Sequence, residues 1–236
     1  MINSEHYYEM NALANELRTK WYIDDKSPID ILTVLKNKMD NLTIIFMEMD
    51  NSISGASSII EEHEIIFINS KHSYGRQRFS IAHELYHIEY DKKFITCTDN
   101  DNNENEKKAD QFASCLLLPH DALINYEQTN NIKKWELDEI IDAEQYFQIS
   151  HHALLWRLRN LEKISYDNFE KYKNMAQIHA KKRGYTTKLY EPFSVNETSM
   201  GYIIKGLEKV YESEEISFGK REEILLDVCR YDDVFF

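Results

Sequence analysis

The chain has 236 residues, 42% of them hydrophobic, with only 6 Gly and 3 Pro, which predicts one or two globular domains with a substantial core and excludes fibrous repeats and long linkers. The formal charge of −13 argues against a general nucleic-acid binder, because contacts to phosphate need a basic surface. The 3 cysteines form no Cys-x-x-Cys pair and no apolar run is long enough to span a membrane, so we expect a cytoplasmic protein without disulfides or membrane segments.

In the first part of the chain, the spacing of the apolar residues changes from a helical pattern to short strand-like runs. Apolar residues at helical spacing predict one helix over 5–21, and Ser27-Pro28, an N-cap followed by proline, predicts the start of a second helix. Short β-branched runs at 42–49, 57–60 and 65–69 then predict three strands. The chain is thus expected to begin with two helices and to continue into a small sheet.

Helical patterns dominate from residue 75 onward. Two apolar stripes over 75–90 predict a helix that is buried on two sides. A polar stretch at 98–105 predicts a surface loop, and a second helix is expected over 104–118. The region 120–236 is predicted to be mainly helical, with an irregular or extended stretch near 185–195.

The sequence His83-Glu84-Leu85-Tyr86-His87 lies within the first of these helices. Two histidines four residues apart project from one helical face, so both imidazoles can bind the same Zn²⁺ ion. Glu84 is placed to reach a water molecule at the metal rather than the metal itself, and can serve as general base and then as general acid. The alternative, two histidines satisfied within a core, is disfavoured because unpaired polar groups are costly in a buried helix.

A catalytic zinc site with two histidines needs a third protein ligand, which leaves the fourth position open. The acidic candidates in the next helix are Glu104, Glu106 and Asp110. At about 100° per residue, Glu106 and Asp110 share a face beside the apolar residues of the helix, whereas Glu104 points about 200° away from Glu106. We therefore predict Glu106 as the third ligand, Asp110 as the acceptor for the second ring N–H of a ligand histidine, and Glu104 as a solvated residue.

Two motifs, in this order, resemble those of the ImmA/IrrE family of metallopeptidases. Residues 81–87, Ile-Ala-His-Glu-Leu-Tyr-His, are similar to the family's Ala-His-Glu-Leu-Gly-His helix. Residues 106–119, with Glu-Lys-Lys-Ala-Asp-Gln-Phe-Ala and then Leu-Leu-Leu-Pro, are similar to its Glu-x-Glu-Ala-x-x-Phe-Ala helix and Leu-Leu-Met-Pro end. Two positions depart from the family: Tyr86 stands where glycine is usual, and Lys108 replaces the second glutamate, so that Glu106 remains as the matching ligand.

The resemblance implies an α+β fold. A gluzincin-like zinc peptidase domain, with a small mixed sheet and the His-Glu-x-x-His helix, is followed by a mainly helical C-terminal region with a helix-turn-helix-like segment. The predicted boundaries are 1–130 for the peptidase domain, 131–165 for the helix-turn-helix-like segment and 166–236 for the C-terminal region. The family's activity implies a zinc endopeptidase that cleaves a helix-turn-helix transcriptional repressor and so releases phage, mobile-element or stress genes.

The helix-turn-helix pattern consists of predicted helices over 137–147 and 151–161, with Ser150 as the N-cap of the second. Arg157 and Arg159 lie on that second helix, but the segment holds more acidic than basic residues, which disfavours contact with phosphate. We therefore expect a support or docking element for a protein substrate and no direct contact with nucleic acid.

Two parts of the site stay open at this point. The strand 65–69 precedes the zinc helix and could pair, as an edge strand, with an extended substrate; the alternative is an ordinary core strand. The oxyanion of the reaction could be stabilised by one of four residues, and these are Tyr146, His120, His151 and His152.

The motifs together predict a zinc-dependent endopeptidase with His83, His87 and Glu106 as metal ligands and Glu84 as the base. The alternatives are a non-proteolytic regulatory partner of a repressor, in which zinc is structural, and an accessory protein of a toxin–antitoxin pair. The presence of Glu84 favours the enzyme, because a structural zinc site does not need a base. The sequence leaves the oligomeric state open.

Overall fold

A computed structural model describes residues 4–91, 95–98, 104–193, 198–230 and 232–235. Its α-helices are α1 (Ser4–Lys20), α2 (Ile31–Lys38), α3 (Tyr74–Tyr86), α4 (Glu104–Leu117), α5 (His120–Thr129), α6 (Leu137–Phe147), α7 (His151–Asn160), α8 (Tyr166–Tyr172), α9 (Ala176–Lys182), α10 (Tyr202–Glu212), α11 (Phe218–Asp227) and α12 (Asp232–Phe235). A π-helical turn, His87–Asp91, continues α3, and a 3₁₀ turn spans Lys188–Tyr190. The strands are β1 (Leu42–Met47), β2 (Ile53–Ile60), β3 (His63–Asn69), β4 (Ile95–Thr98) and β5 (Thr198–Gly201). None of the described helices has the length and the apolar content needed to cross a membrane.

The strands form one mixed sheet in the order β4-β2-β3-β1-β5. β1 and β3 run parallel, and all other neighbours are antiparallel. The sheet and its surrounding helices confirm the predicted α+β fold class. Of the two alternatives for strand 65–69, the structure supports the core strand: it belongs to β3, whose backbone groups pair with β2 on one side and β1 on the other.

Strand β5 comes from the region that was expected to be mainly helical. It pairs with β1, so that Thr43 lies opposite Gly201 and Phe46 opposite Thr198. Gly201 has a φ of 105°, and a Cβ atom there would lie 2.1 Å from the carbonyl oxygen of Leu42, so only glycine fits this position. The four residues of β5 do not alternate between apolar and polar side chains, so the sequence gives no sign of a strand here. Their strand conformation depends on pairing with β1.

Helix α3 is buried on two sides, as its two apolar stripes predicted. One side packs on β2 and β3, and another packs on α4, which in turn packs on α1. Ile81, Ala82 and Leu85 of α3 are fully buried in this layer. Because interdigitated core side chains have little freedom to move, α3 is a rigid support for the polar residues it carries.

The helix-turn-helix-like pair α6 and α7 is attached to the same layer through Arg157. The Arg157 guanidinium donates to the carbonyl oxygen of Leu118 at 2.8 Å and to Sγ of Cys115 at 3.0 Å. It also lies 4.9 Å from the ring centre of Tyr7, within cation–π range. Arg157 is therefore a buried structural residue that fixes α7 to α4 and α1.

Candidate active site

The two motif histidines lie at the C-terminal end of α3. His83 is in its last turn, and His87 begins the π-helical turn that follows. π-Helical turns within α-helices are rare and are frequent at functional sites. Both histidines are buried and face α4, which places them against the helix on which the third ligand was predicted.

Three side chains converge at this point. Nε2 of His83 lies 3.0 Å from Oε2 of Glu106 and 3.3 Å from Nε2 of His87, and Nε2 of His87 lies 3.5 Å from Oε1 of Glu106. Tetrahedral zinc with bonds of about 2.0–2.1 Å separates its ligand atoms by about 3.3 Å. The donor types and their spacing therefore fit a zinc ion, and within the described residues this buried group can hold a metal.

A carboxylate lies against the other ring nitrogen of each histidine. Oδ1 of Asp110 is 2.9 Å from Nδ1 of His83, and Oδ2 of Asp91 is 3.5 Å from Nδ1 of His87. Such partners hold a ligand imidazole in one tautomer and one orientation. Asp110 occupies the position that helix register predicted. Asp91 was missed, although its place four residues after His87 is a signal that the sequence does contain.

The environment of His87 also suits metal binding. Burial, followed by the charge of His83, lowers the pKa of His87, which favours the neutral imidazole that a metal requires.

The Glu104 side chain is 69% exposed and lies 3.6 Å from Nε2 of His6. Glu104 is therefore a solvated residue, as predicted, and it is not part of the group that Glu106 joins, although it lines the same cleft.

Glu84 is held by strand β2. Only 1% of its surface is exposed, and Ser57 Oγ donates a hydrogen bond of 2.7 Å to its Oε2. A Cβ atom on Gly55 would lie 3.1 Å from Glu84 Oε1 and 2.9 Å from the carbonyl oxygen of Phe67, so the absence of a side chain at Gly55 makes room for the carboxylate. Sequence reasoning missed both Ser57 and Gly55, since neither stands out within β2.

A model of the IrrE N-terminal-like domain, also called peptidase M78, matches residues 39–159, slightly more than half of the chain. The chain belongs to this family. No curated protein matches it. The predicted resemblance is thus confirmed, and the chain contains a metallopeptidase-like domain that includes the His83, His87 and Glu106 group.

The two departures from the M78 motifs leave this group intact. The ring of Tyr86, in place of the usual glycine, packs against Phe112 and Tyr90, with ring centres 5.6 Å apart in both pairs. Its ring centre is 5.7 Å from that of His87, so Tyr86 fills the apolar layer beside the metal group. Lys108 lies two residues beyond Glu106, about 200° around α4, and is therefore on a different face.

The metal group of this M78 domain opens into a cleft of about 1430 Å³. His83, Glu84 and Glu106 lie on one wall, formed by α3 and α4. Residues of α7 and of the segment that follows it form another part of the lining. Small-molecule pockets typically measure about 300–1,000 Å³, so the size of the cleft suits a peptide.

The four candidates for the oxyanion donor differ in their position relative to the cleft. Tyr146 lies in another depression, against the ring of Tyr126. His120 lies 3.1 Å from the hydroxyl of the cleft residue Tyr7 but does not itself line the cleft. His151 lines the cleft but is buried, with one ring nitrogen 2.6 Å from Glu144 and the other 3.1 Å from the carbonyl oxygen of Tyr172. The remaining candidate is His152, which lines the cleft and is exposed.

Proposed function

We propose that the chain is a cytoplasmic zinc-dependent endopeptidase that hydrolyses a peptide bond in a protein substrate, and that this substrate is a helix-turn-helix transcriptional repressor. The observation that supports it best is the convergence of His83, His87 and Glu106 at one end of a peptide-sized cleft, next to a buried glutamate that is not part of the metal group. Family membership supports the metallopeptidase class. The repressor substrate follows from the motif resemblance.

In the proposed reaction, the zinc ion and the protein side chains have separate roles. Bound zinc supplies Lewis acidity, which polarises the scissile carbonyl and makes water more acidic. The Glu84 carboxylate takes the proton of the attacking water and passes it to the leaving nitrogen. Ser57 holds one oxygen of that carboxylate, while Asp110 and Asp91 hold the two imidazoles. These contacts fix the groups before substrate arrives, which reduces the reorganisation that the reaction requires.

The rival function is a non-proteolytic regulatory partner or a toxin–antitoxin accessory protein with a structural zinc ion. A structural site has four protein ligands and no base. Within the described residues the metal group has three protein side chains, and a carboxylate beside it is buried at a cost in desolvation. The deciding experiment is co-expression of the chain with the repressor encoded next to it. The proposal expects a repressor fragment that depends on Glu84.

Ser57→Ala is expected to lower kcat by about 10- to 100-fold, because a hydrogen bond to a charged group contributes roughly 1.5–3 kcal/mol. KM and zinc affinity should change little, since Ser57 itself neither lines the cleft nor belongs to the metal group. The matched control is Ser58→Ala, because adjacent residues of a strand point to opposite faces. Kinetics and zinc titration of both variants test this; equal kcat values for Ser57→Ala and wild type contradict it.

The purified chain is expected not to bind duplex DNA in a salt-dependent manner. Arg157 is buried, Arg159 is half-buried with its guanidinium over the ring of Tyr166, and the net charge is −13. This helix therefore offers too little basic surface to bind phosphate. Gel shifts at sub-micromolar protein and physiological salt measure this, with a known helix-turn-helix repressor as the positive control. A shifted band for this chain would support the regulatory alternative.

A further inference from the structure

One side of α7 forms a wall of the cleft. His152, Trp156 and Asn160 line it and are spaced four residues apart, so they lie on one helical face. In a helix-turn-helix that binds DNA, this helix would present its exposed face to the major groove. Here the same face lines the cleft into which the metal group opens, where a substrate would lie.

Trp156 is held in place on this wall while remaining accessible. Its Nε1 donates to Nε2 of His152 at 2.7 Å, and its ring centre is 4.7 Å from that of Phe169. It is 45% exposed, whereas Trp21 and Trp135 are 4% and 3% exposed. An aromatic side chain that is already ordered loses little entropy on binding, and tryptophan is enriched among residues that dominate binding energy.

The two walls of the cleft differ in charge. The α4 wall carries Glu104, Glu106 and Asp110 beside Lys107, whereas the described lining residues between 150 and 177 include no carboxylate and do include Lys173. Lys173 forms a partly exposed ion pair with Glu170, outside the lining, and its ammonium group has further donors for a second carboxylate. Burial, then the charges of His151, Arg76 and Lys173, lower the pKa of His152. Arg76 and Lys173 therefore lie close enough to act on the ring beside Trp156. Lys173 on this wall and Arg76 at the start of α3 thus place positive charge around Trp156, which in a chain with a net charge of −13 favours a negatively charged partner at this part of the cleft.

We propose that the α7 wall is the recognition subsite for an extended segment of the protein substrate that carries a large apolar side chain next to an acidic one. Trp156 receives the apolar side chain, and Lys173 and Arg76 attract the acidic one. This inference rests on the proposed function, because it takes the bound segment to be part of the protein substrate. It adds the class of sequence that the cleft recognises. The binding can be measured without cleavage.

The test uses full-length Glu84→Gln protein loaded with Zn²⁺ and a phage-displayed library of random peptides. The immobilised protein should enrich peptides that carry a large apolar residue adjacent to Asp or Glu. Adding Trp156→Ala should remove the apolar preference, and adding Lys173→Gln should remove the acidic one. Lys205→Gln on α10 and Phe218→Ala on α11, which remove an exposed charge and an exposed ring away from the cleft, are the matched controls and should leave the enriched motif unchanged.

A second measurement uses the accessibility of Trp156. A synthetic peptide with the enriched motif should change the tryptophan emission of the Glu84→Gln protein, and the change should disappear in the Trp156→Phe protein, because the other tryptophans are buried. Failure to enrich any motif, the same motif from the Trp156→Ala protein, or enrichment of basic peptides overturns the inference. Enrichment as expected, with no cleavage of those peptides by the wild-type protein, instead contradicts the proposed protease function and leaves the subsite intact.

Discussion

Glu84→Gln is expected to retain zinc and to lose cleavage by about 10²- to 10⁴-fold, the contribution of a positioned general base. The amide has the shape of the carboxylate but cannot take a proton from water. Its oxygen can still accept the hydrogen bond from Ser57, which in the wild-type protein measures 2.7 Å to Oε2. The fold and the three metal-binding side chains should therefore be preserved, so the loss would report chemistry rather than structure.

Glu89→Gln is the matched control. It makes the same substitution five residues later, on the π-helical turn, where Glu89 lies 3.8 Å from Lys20 at the surface. Zinc content by elemental analysis, thermal unfolding, and appearance of repressor fragments should be measured for both variants. Fragments forming at the wild-type rate in the Glu84→Gln protein would show that another group acts as the base.

The second large effect concerns the metal ligands on α4. Glu106→Ala should weaken zinc binding severely, because both of its oxygens lie within 3.5 Å of ligand nitrogens. Asp110→Ala should weaken it by about 10- to 100-fold, the usual effect of losing a partner of a ligand histidine. Asp91→Ala, at Nδ1 of His87, should have an effect of the same order.

Glu104→Ala supplies the control for that series, because it removes a carboxylate from the same helix without touching the metal group. Its zinc affinity should equal that of the wild-type protein. Competition titrations with a chromophoric chelator give the affinities of all four variants on one scale. A loss of affinity in Glu104→Ala that exceeds the loss in Glu106→Ala would mean that the register of α4, and with it the ligand assignment, is wrong.

The parts of the site that could be predicted are those set by local helix geometry. A spacing of four residues places His83 and His87 on one face of any α-helix. The same argument orders Glu104, Glu106 and Asp110 around α4, and the apolar side of α4 decides which of them turns inward. These relations need no knowledge of how the helices pack, so a single sequence contains them.

The parts that were missed depend on contacts between distant segments. Ser57 meets Glu84 only because β2 packs beneath α3, and small polar residues in a strand give no sign of that contact. The pattern of β3 shows a buried strand but not its neighbours, so its interior place in the sheet could not be read from the sequence. The pattern of α7 likewise predicts a helix, but the surface that its exposed side faces is set by the packing of Arg157.

The pairing of β5 with β1 has a consequence for where the folding unit ends. The family model stops at residue 159, yet β5 follows at Thr198–Gly201 and covers the outer side of β1. Without β5, the sequence Leu-Thr-Ile-Ile-Phe-Met of β1 would present a row of open backbone groups on an apolar strand, the kind of edge that pairs with other chains and aggregates. The M78 segment of this protein thus contains the metal group, while the open edge of its strand β1 is covered by residues that the family model does not match.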